Sequence, residues 1–292
     1  MSQPVRKAVI PAAGFGTRFL PVAKAVPKEM LPIVDKPVIQ YVVEEAAASG
    51  ITDVIIVISQ AKRAIEEHFS PNVALEAELE SKGKTEALAE LRKLRALPRI
   101  QYVLQSKMGG LGDAVRCARD AVGREPFAVL LGDALVSASE GATPVTRQLM
   151  DVHEKYGGSV VALEEVPLGK VSRYGIMGGL EIERGVIRAE KFVEKPAVAE
   201  TPSRLAVSAR YILEPEIFEE LDRTPVGQGG ELQLTDAMAS LMKRRPLFGV
   251  KYAGRRHDIG NKLDFVKANL WWGLRRADMG EDLRKAVREM IE

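Results

Sequence analysis

The run Asp53-Val54-Ile55-Ile56-Val57-Ile58 constrains this chain more than any other segment. Its β-branched residues favour an extended backbone, and with no polar face among them the strand must be covered on both sides. Such a strand sits inside a parallel sheet with helices against each face. Phe127-Ala128-Val129-Leu130-Leu131 repeats the pattern and stops at Gly132-Asp133, and Val5 to Ile10 opens the chain as a further strand. Between them lie an apolar-periodic helix from Val38 to Ser49 ended by Gly50, a helix over Ala61 to His68, charged helical sequence over 74 to 97, a strand from Ile100 to Gln105 and a helix from Asp113 to Val122. Strands alternating with helices predict an α/β chain with a Rossmann-like three-layer fold, its central mixed, mostly parallel sheet flanked by helices.

Beyond residue 133 the sequence is richer in strands, with Ser159 to Glu164 and the pieces 175 to 182, 186 to 193 and 206 to 213. Helices are expected at Val145 to Tyr156, Pro215 to Leu221, Leu232 to Lys243, Lys262 to Arg276 and Glu281 to Ile291. No linker rich in Pro, Gly or Ser interrupts the chain, so residues 1–292 read as a single domain.

Charge excludes several functions. With 42 Lys and Arg against 40 Asp and Glu there is no basic arm, so no nucleic acid is expected as partner. No stretch of about 18 apolar residues is present, so no membrane is expected either. The single cysteine, Cys117, shares an apolar helix face with Ala114, Ala118 and Ala121 and cannot pair internally, which fits a reducing, cytoplasmic setting. Three apparent motifs carry no chemistry. Gly14-Phe15-Gly16-Thr17-Arg18-Phe19 lacks the third glycine of a dinucleotide fingerprint, and Gly83-Lys84-Thr85 lacks the partner glycine of a P-loop. The three histidines, His68, His153 and His257, lie too far apart for a zinc site.

The loop after the first strand is different. Gly14 and Gly16 let backbone N–H groups approach an anion, Arg18 adds a fork of donors, and Lys24 and Lys28 follow within a proline-punctuated segment. In an open α/β fold this loop lies at the carboxyl edge of the sheet, where ligands bind. A polyanion such as a triphosphate suits such a loop.

Ala12-Ala13-Gly14-Phe15-Gly16-Thr17-Arg18-Phe19-Leu20-Pro21 and Pro27-Lys28-Glu29-Met30-Leu31-Pro32-Ile33-Val34-Asp35-Lys36-Pro37 resemble the sugar-1-phosphate nucleotidylyltransferases, and within them the bacterial UTP–glucose-1-phosphate uridylyltransferase family. Gln105 with Gly110-Leu111-Gly112, Asp133, Tyr174-Gly175, Val193-Glu194-Lys195-Pro196, Gly230-Glu231-Leu232-Gln233-Leu234-Thr235-Asp236 and Asp258-Ile259-Gly260-Asn261-Lys262 follow in the family's order, so the resemblance spans about residues 5 to 270.

The resemblance implies a nucleotide-binding half over about 1–135, a sugar-binding half over 136–265, and C-terminal helices over 266–292. Leu270-Trp271-Trp272 sets two large aromatics on one of those helices, and oligomer contacts there, in a dimer or tetramer, are expected from it. The resemblance also implies that Ala12, Ala13, Gly14, Gly16, Gln105 and Gly110 hold uracil and ribose, while Arg18 and Lys28 lie along the triphosphate. Asp133 and Asp258 would hold Mg²⁺. Gly175, Glu194 and Glu231 would meet the sugar, and Lys195 its phosphate. The implied reaction joins UTP and α-D-glucose-1-phosphate into UDP-glucose and pyrophosphate by in-line attack on the α-phosphorus. Use of dTTP as a thymidylyltransferase, or a noncatalytic sugar-nucleotide-binding role, stays open on sequence alone. The chain departs from the family at Ala23, commonly Thr, at Asp113, commonly His, at Gly132, commonly Pro, and at His257, commonly aromatic.

Overall fold

In the computed structural model residues 3–291 are described, apart from the side chains of Gln228 and Asp258. The first half runs β1 (Lys7–Pro11), a small hairpin of β2 (Pro32–Ile33) and β3 (Lys36–Pro37), α1 (Val38–Ala48), β4 (Asp53–Ile58), α2 (Arg63–Phe69), α3 (Val73–Ser81), α4 (Thr85–Lys93), β5 (Arg99–Leu104), α5 (Leu111–Cys117), α6 (Arg119–Val122) and β6 (Phe127–Leu130). The second half runs β7 (Ala134–Ala138), α7 (Val145–Tyr156), β8 (Ser159–Glu165), β9 (Gly175–Glu183), β10 (Val186–Glu194), β11 (Leu205–Leu213), α8 (Ile217–Arg223), α9 (Leu234–Leu241), β12 (Leu247–Lys251), β13 (Gly254–Asp258), α10 (Lys262–Gly273) and α11 (Gly280–Ile291).

One nine-stranded sheet has the order β5-β4-β1-β6-β11-β8-β12-β10-β9. β5, β4, β1 and β6 are mutually parallel, as their helical crossovers require. The expectation of a mostly parallel sheet stops there. β11 is antiparallel to both β6 and β8, β10 is antiparallel to β12 and to β9, and only β8 and β12 form a parallel pair in this half. For β9 and β10 the cause is local: they are joined by Arg184-Gly185, with Gly185 at φ +80°, and so short a turn can only reverse the chain.

Both sheet faces are buried, and successive strand residues divide between them. Ala8, Ile10, Val54, Ile56, Ala128 and Leu130 pack with Val38, Val42 and Ala46 of α1 and Leu149 of α7. Val9, Ile55, Val57, Phe127 and Val129 face the other way, onto Ala114 and Val115 of α5, Phe218 of α8 and Met238 of α9. This period-2 division explains why β4 is apolar at every position from Val54 to Ile58.

Five strands that the sequence left unassigned are β2, β3, β7, β12 and β13. β7 and β13 form a separate antiparallel ladder that pairs Asp258 with Ala134, the residue after Asp133. Arg210, 1% exposed, anchors this region: its guanidinium donates to Glu45 of α1 at 2.7 Å and to the Ala134 carbonyl at 3.0 Å. Glu45 also accepts the Thr146 hydroxyl at 2.7 Å, so one ion pair ties α1, α7, β11 and β7 together. The C-terminal tryptophans are engaged within the chain. Trp272 packs against Tyr41, and both Trp271 and Trp272 lie against His257 with ring centroids 4.5 and 4.6 Å away. Burial and the nearby Arg255 and Arg275 push the pKa of His257 down to about 4, so at neutral pH it is an uncharged ring in an aromatic cluster. That accounts for an imidazole where the family commonly has an aromatic side chain.

Candidate active site

The ends of four parallel strands meet at one edge. β1 ends at Pro11 and leads into the glycine loop, β4 ends beside it with the Val57 carbonyl accepting from Ala12 N at 2.8 Å, β5 ends one residue before Gln105, and β6 runs on through Gly132 to Asp133. Ala12 and Ala13 are buried beneath the loop, while Gly14 and Arg18 are exposed. Gly16 takes φ +67°, and a Cβ there would lie 3.2 Å from Lys28 Cβ, so the glycine lets the two halves of the loop close together. A cavity of about 390 Å³ opens between these ends, lined by Ala13, Gly14, Gly16, Lys28, Gln105, Gly110, Asp133 and Glu231. Residues of the glycine loop, Lys28, Gln105, Gly110 and Asp133 are thus brought to one place. Lys24 is not among them; it borders an adjoining pocket with Thr17, Ala23 and Lys62.

Charge in this cavity is arranged in alternating order. Lys28 Nζ donates to Asp133 Oδ2 at 2.5 Å and lies 3.9 Å from Glu29 Oε1, and Lys62 Nζ donates to Glu29 Oε2 at 2.6 Å. Burial opposes charge on Asp133, but Lys28, with Arg18 further off, outweighs it and holds the carboxyl below its ordinary pKa. Burial likewise opposes charge on Lys28, yet Asp133 and Glu29 keep its ammonium above the ordinary lysine value. The outer pair behaves oppositely. Burial of Glu29 raises its pKa and burial of Lys62 lowers its own, and the attraction between them only partly offsets either shift. Arg18 is exposed, does not line the cavity and has no hydrogen-bonded partner among the described residues, so its donors are free for an anion near Asp133.

Gly175, Glu194 and Lys195 form a second cluster. Gly175 pairs with Glu194 across β9 and β10, and Lys195 Nζ lies 3.1 Å from Glu194 Oε1. Lys195 has φ +45°, a conformation that costs a non-glycine residue roughly 1–3 kcal/mol and concentrates at working sites. Its N–H donates to the Tyr174 carbonyl at 3.0 Å, which fixes the turn. Thr235 and Asp236, at the start of α9, join this cluster: a Cβ at Gly175 would lie 3.0 Å from Thr235 Oγ1, and burial together with the Glu194 charge raises the Asp236 pKa. Glu231 stands elsewhere. It borders the cavity of the glycine loop, where its Cβ packs so closely on Gly110, at φ +90°, that any Cβ there would be 2.7 Å away.

Asp258 ends β13 opposite Ala134, so its backbone is next to the Asp133 loop, but its side chain lies outside the described residues. Neither the pairing of Lys62 with Glu29 nor the place of Asp236 beside Glu194 is visible in the sequence. The sequence also left the position of Asp113 open. Asp113, in the first turn of α5, does not face a phosphate: it accepts from the Gln105 amide at 2.7 Å and from Arg116 at 2.6 Å.

At this carboxyl-edge cavity Lys28 is paired with Asp133, with Glu29 and Glu231 also in the lining and the Arg18 charge acting on Asp133 from nearby, an arrangement with the chemistry to receive a polyanion together with a cation. In agreement, the nucleotidyl transferase family model matches residues 7–271, and the chain belongs to that family. Among its relatives, UTP–glucose-1-phosphate uridylyltransferase of Bacillus subtilis (strain 168) is 49% identical over 279 residues, covering 96% of this chain and 94% of that protein. The protein of the same name from Staphylococcus haemolyticus (strain JCSC1435) is 48% identical over 98% of both chains. Among solved structures, a UDP-glucose pyrophosphorylase complexed with UDP-glucose superposes with a TM-score of 0.85 at 41% identity, over 93% of this chain and 100% of that one. A UTP-bound UGPase from Acinetobacter baumannii gives 0.90 at 38% identity, over 98% and 99%.

Proposed function

We propose that this chain is a uridylyltransferase that joins UTP and α-D-glucose-1-phosphate into UDP-glucose and pyrophosphate, on a Rossmann-like three-layer fold. The division of strand residues between two cores supports that fold reading. The observation that carries the function is the Lys28–Asp133 pair on the floor of the cavity formed by the glycine loop and Gln105. The names of the relatives agree with it.

Asp133 suits a hard divalent cation. It is a carboxylate held ionised, its contact is already with a cation, and the backbone of Asp258 is paired to its neighbour. Asp133 and Asp258 would hold Mg²⁺, which when bound would offset charge on the triphosphate. The chain's own residues do the rest. Arg18 and Lys28 lie along the triphosphate, Lys28 from its place on Asp133. The backbone of Ala12 to Gly16, with Gln105 and Gly110, receives the base and ribose, and Gly175 and Glu194 the sugar. Lys195 brings in the sugar phosphate, one of whose oxygens attacks the α-phosphorus as the bond to the leaving pyrophosphate breaks. The attacking group is already an anion near neutral pH, so no general base is required. Catalysis then consists of positioning and charge neutralisation.

Exposed Leu263, Val266 and Leu270 on α10 support assembly into a homo-oligomer. Among the described residues no helix is long and apolar enough to cross a membrane.

The test is Asp133→Ala, with folding checked by circular dichroism and turnover followed as pyrophosphate release. Loss of one such charge-stabilising group costs about 10²-fold or more in rate. Near-normal turnover would remove Asp133 from the assignment.

A further inference from the structure

Asp113 does not itself line the cavity, yet it holds a residue that does. Gln105 is 4% exposed and lines the cavity. Its Nε2 donates to Asp113 Oδ2 at 2.7 Å and approaches the Gly110 carbonyl at 3.4 Å, so both amide hydrogens are directed into the protein. Among the described residues nothing donates to Gln105 Oε1. Asp113 cannot turn away, because its other oxygen is ion-paired to Arg116 at 2.6 Å and Gly109 lies against its carboxylate, where a Cβ would be 2.7 Å from Asp113 Cγ.

A carboxylate only accepts hydrogen bonds, so one orientation of the Gln105 amide is favoured. Reversed, Oε1 would face Asp113 Oδ2 across the same gap with no proton between them. The base site therefore offers a carbonyl acceptor and no amide donor. Such an acceptor pairs with the N3–H of uracil or thymine and opposes the N3 lone pair of cytosine.

We propose that Asp113 is the positioning residue for base selection: by locking the Gln105 amide, it makes the site accept pyrimidines that carry N3–H and reject cytosine, without separating UTP from dTTP. The proposal rests on the uridylyltransferase reading above for the place of the base beside Gln105.

The test compares the intact chain with Asp113→Asn, which is nearly isosteric and can both donate and accept, so that it frees the amide to reverse. kcat/KM is measured for UTP, dTTP and CTP with glucose-1-phosphate and Mg²⁺, and the dissociation constants of UTP and CTP are measured by calorimetry without the sugar. The UTP to CTP ratio should fall about tenfold or more, the effect of one neutral hydrogen bond. The UTP to dTTP ratio and the KM for glucose-1-phosphate should stay put, which a general structural defect would not produce. Arg116→Gln, altering an exposed partner outside the cavity, should move the UTP to CTP ratio the same way by a smaller factor; it carries the decision if Asp113→Asn does not fold. An unchanged UTP to CTP ratio in a folded variant overturns the proposal while leaving the function intact. An unaltered chain that turns over no UTP overturns the function instead, and the calorimetric ratios still decide the role of Asp113.

Discussion

Replacing Lys62 with Met removes the cation from a buried pair and leaves the other charge behind. Glu29 is 1% exposed and Lys62 5%, with 2.6 Å between the charged atoms, and the next cation, Lys28 Nζ, is 3.9 Å from Glu29 and occupied by Asp133. Breaking a pair this buried costs about 3–5 kcal/mol, because the remaining carboxylate keeps its desolvation penalty without its compensation. The loss should depend on pH in a definite direction. The pKa of Glu29 is already raised by burial, with Lys62 pulling it back down, so removing Lys62 raises it further above the unfolded value. The folded variant then binds a proton that the unfolded chain does not, and its stability falls as pH rises through the folded pKa. The deficit relative to the unaltered protein should be largest at pH 7.5 and shrink on acidification by up to about 1.4 kcal/mol per unit. Urea unfolding of both proteins at pH 7.5 and pH 5.5 measures this, since titrations common to both cancel in the difference. A deficit under about 1 kcal/mol at pH 7.5, or one that does not shrink at pH 5.5, would refute the assignment of a buried charged pair beneath Lys28.

Two further outcomes follow from buried polar groups. Glu45→Ala should destabilise the fold by about 3–5 kcal/mol in the same urea assay, whereas replacing Glu45 and Arg210 together by Met should recover much of that loss. His257→Phe should fold normally. Because the folded pKa of His257 is depressed to about 4, the unaltered protein loses stability as pH falls from 6.5 toward 4, and the Phe variant should lose about 1–3 kcal/mol less over that window. Equal losses in the two proteins would show that His257 does not stay neutral in the aromatic cluster.

Much of this fold could be read from apolar period alone. A strand apolar on both faces leaves only one kind of surrounding, so β4 and β6 specify the parallel half, and the glycine loop after β1 falls at the carboxyl edge where it was expected. β7 and β13 were hidden because a short ladder, continuously apolar only over Ala134 to Val136 in β7 and carrying Arg255 and Arg256 in β13, offers no such run. Outside the β9–β10 hairpin, the antiparallel half depends on pairings between strands distant in sequence, which no turn dictates. Lys28 and Asp133 were legible as charges near one edge, but their 2.5 Å contact joins residues far apart in sequence. The pairing of Glu29 with Lys62 was equally silent, since a lysine after a strand resembles any solvated lysine until burial is known. Asp113 was visible only as a departure; its meaning appeared once the loop from Gln105 to Gly110 folded back and set the amide on its carboxylate.

Pyrophosphate release tests the central claim most directly. UTP, dTTP, ATP, GTP and CTP would each be supplied with glucose-1-phosphate and Mg²⁺, then again without the sugar and with EDTA. The account predicts release that is fastest with UTP and that disappears when either sugar or metal is withdrawn. Release that continues without glucose-1-phosphate, or none with any nucleotide, would contradict it.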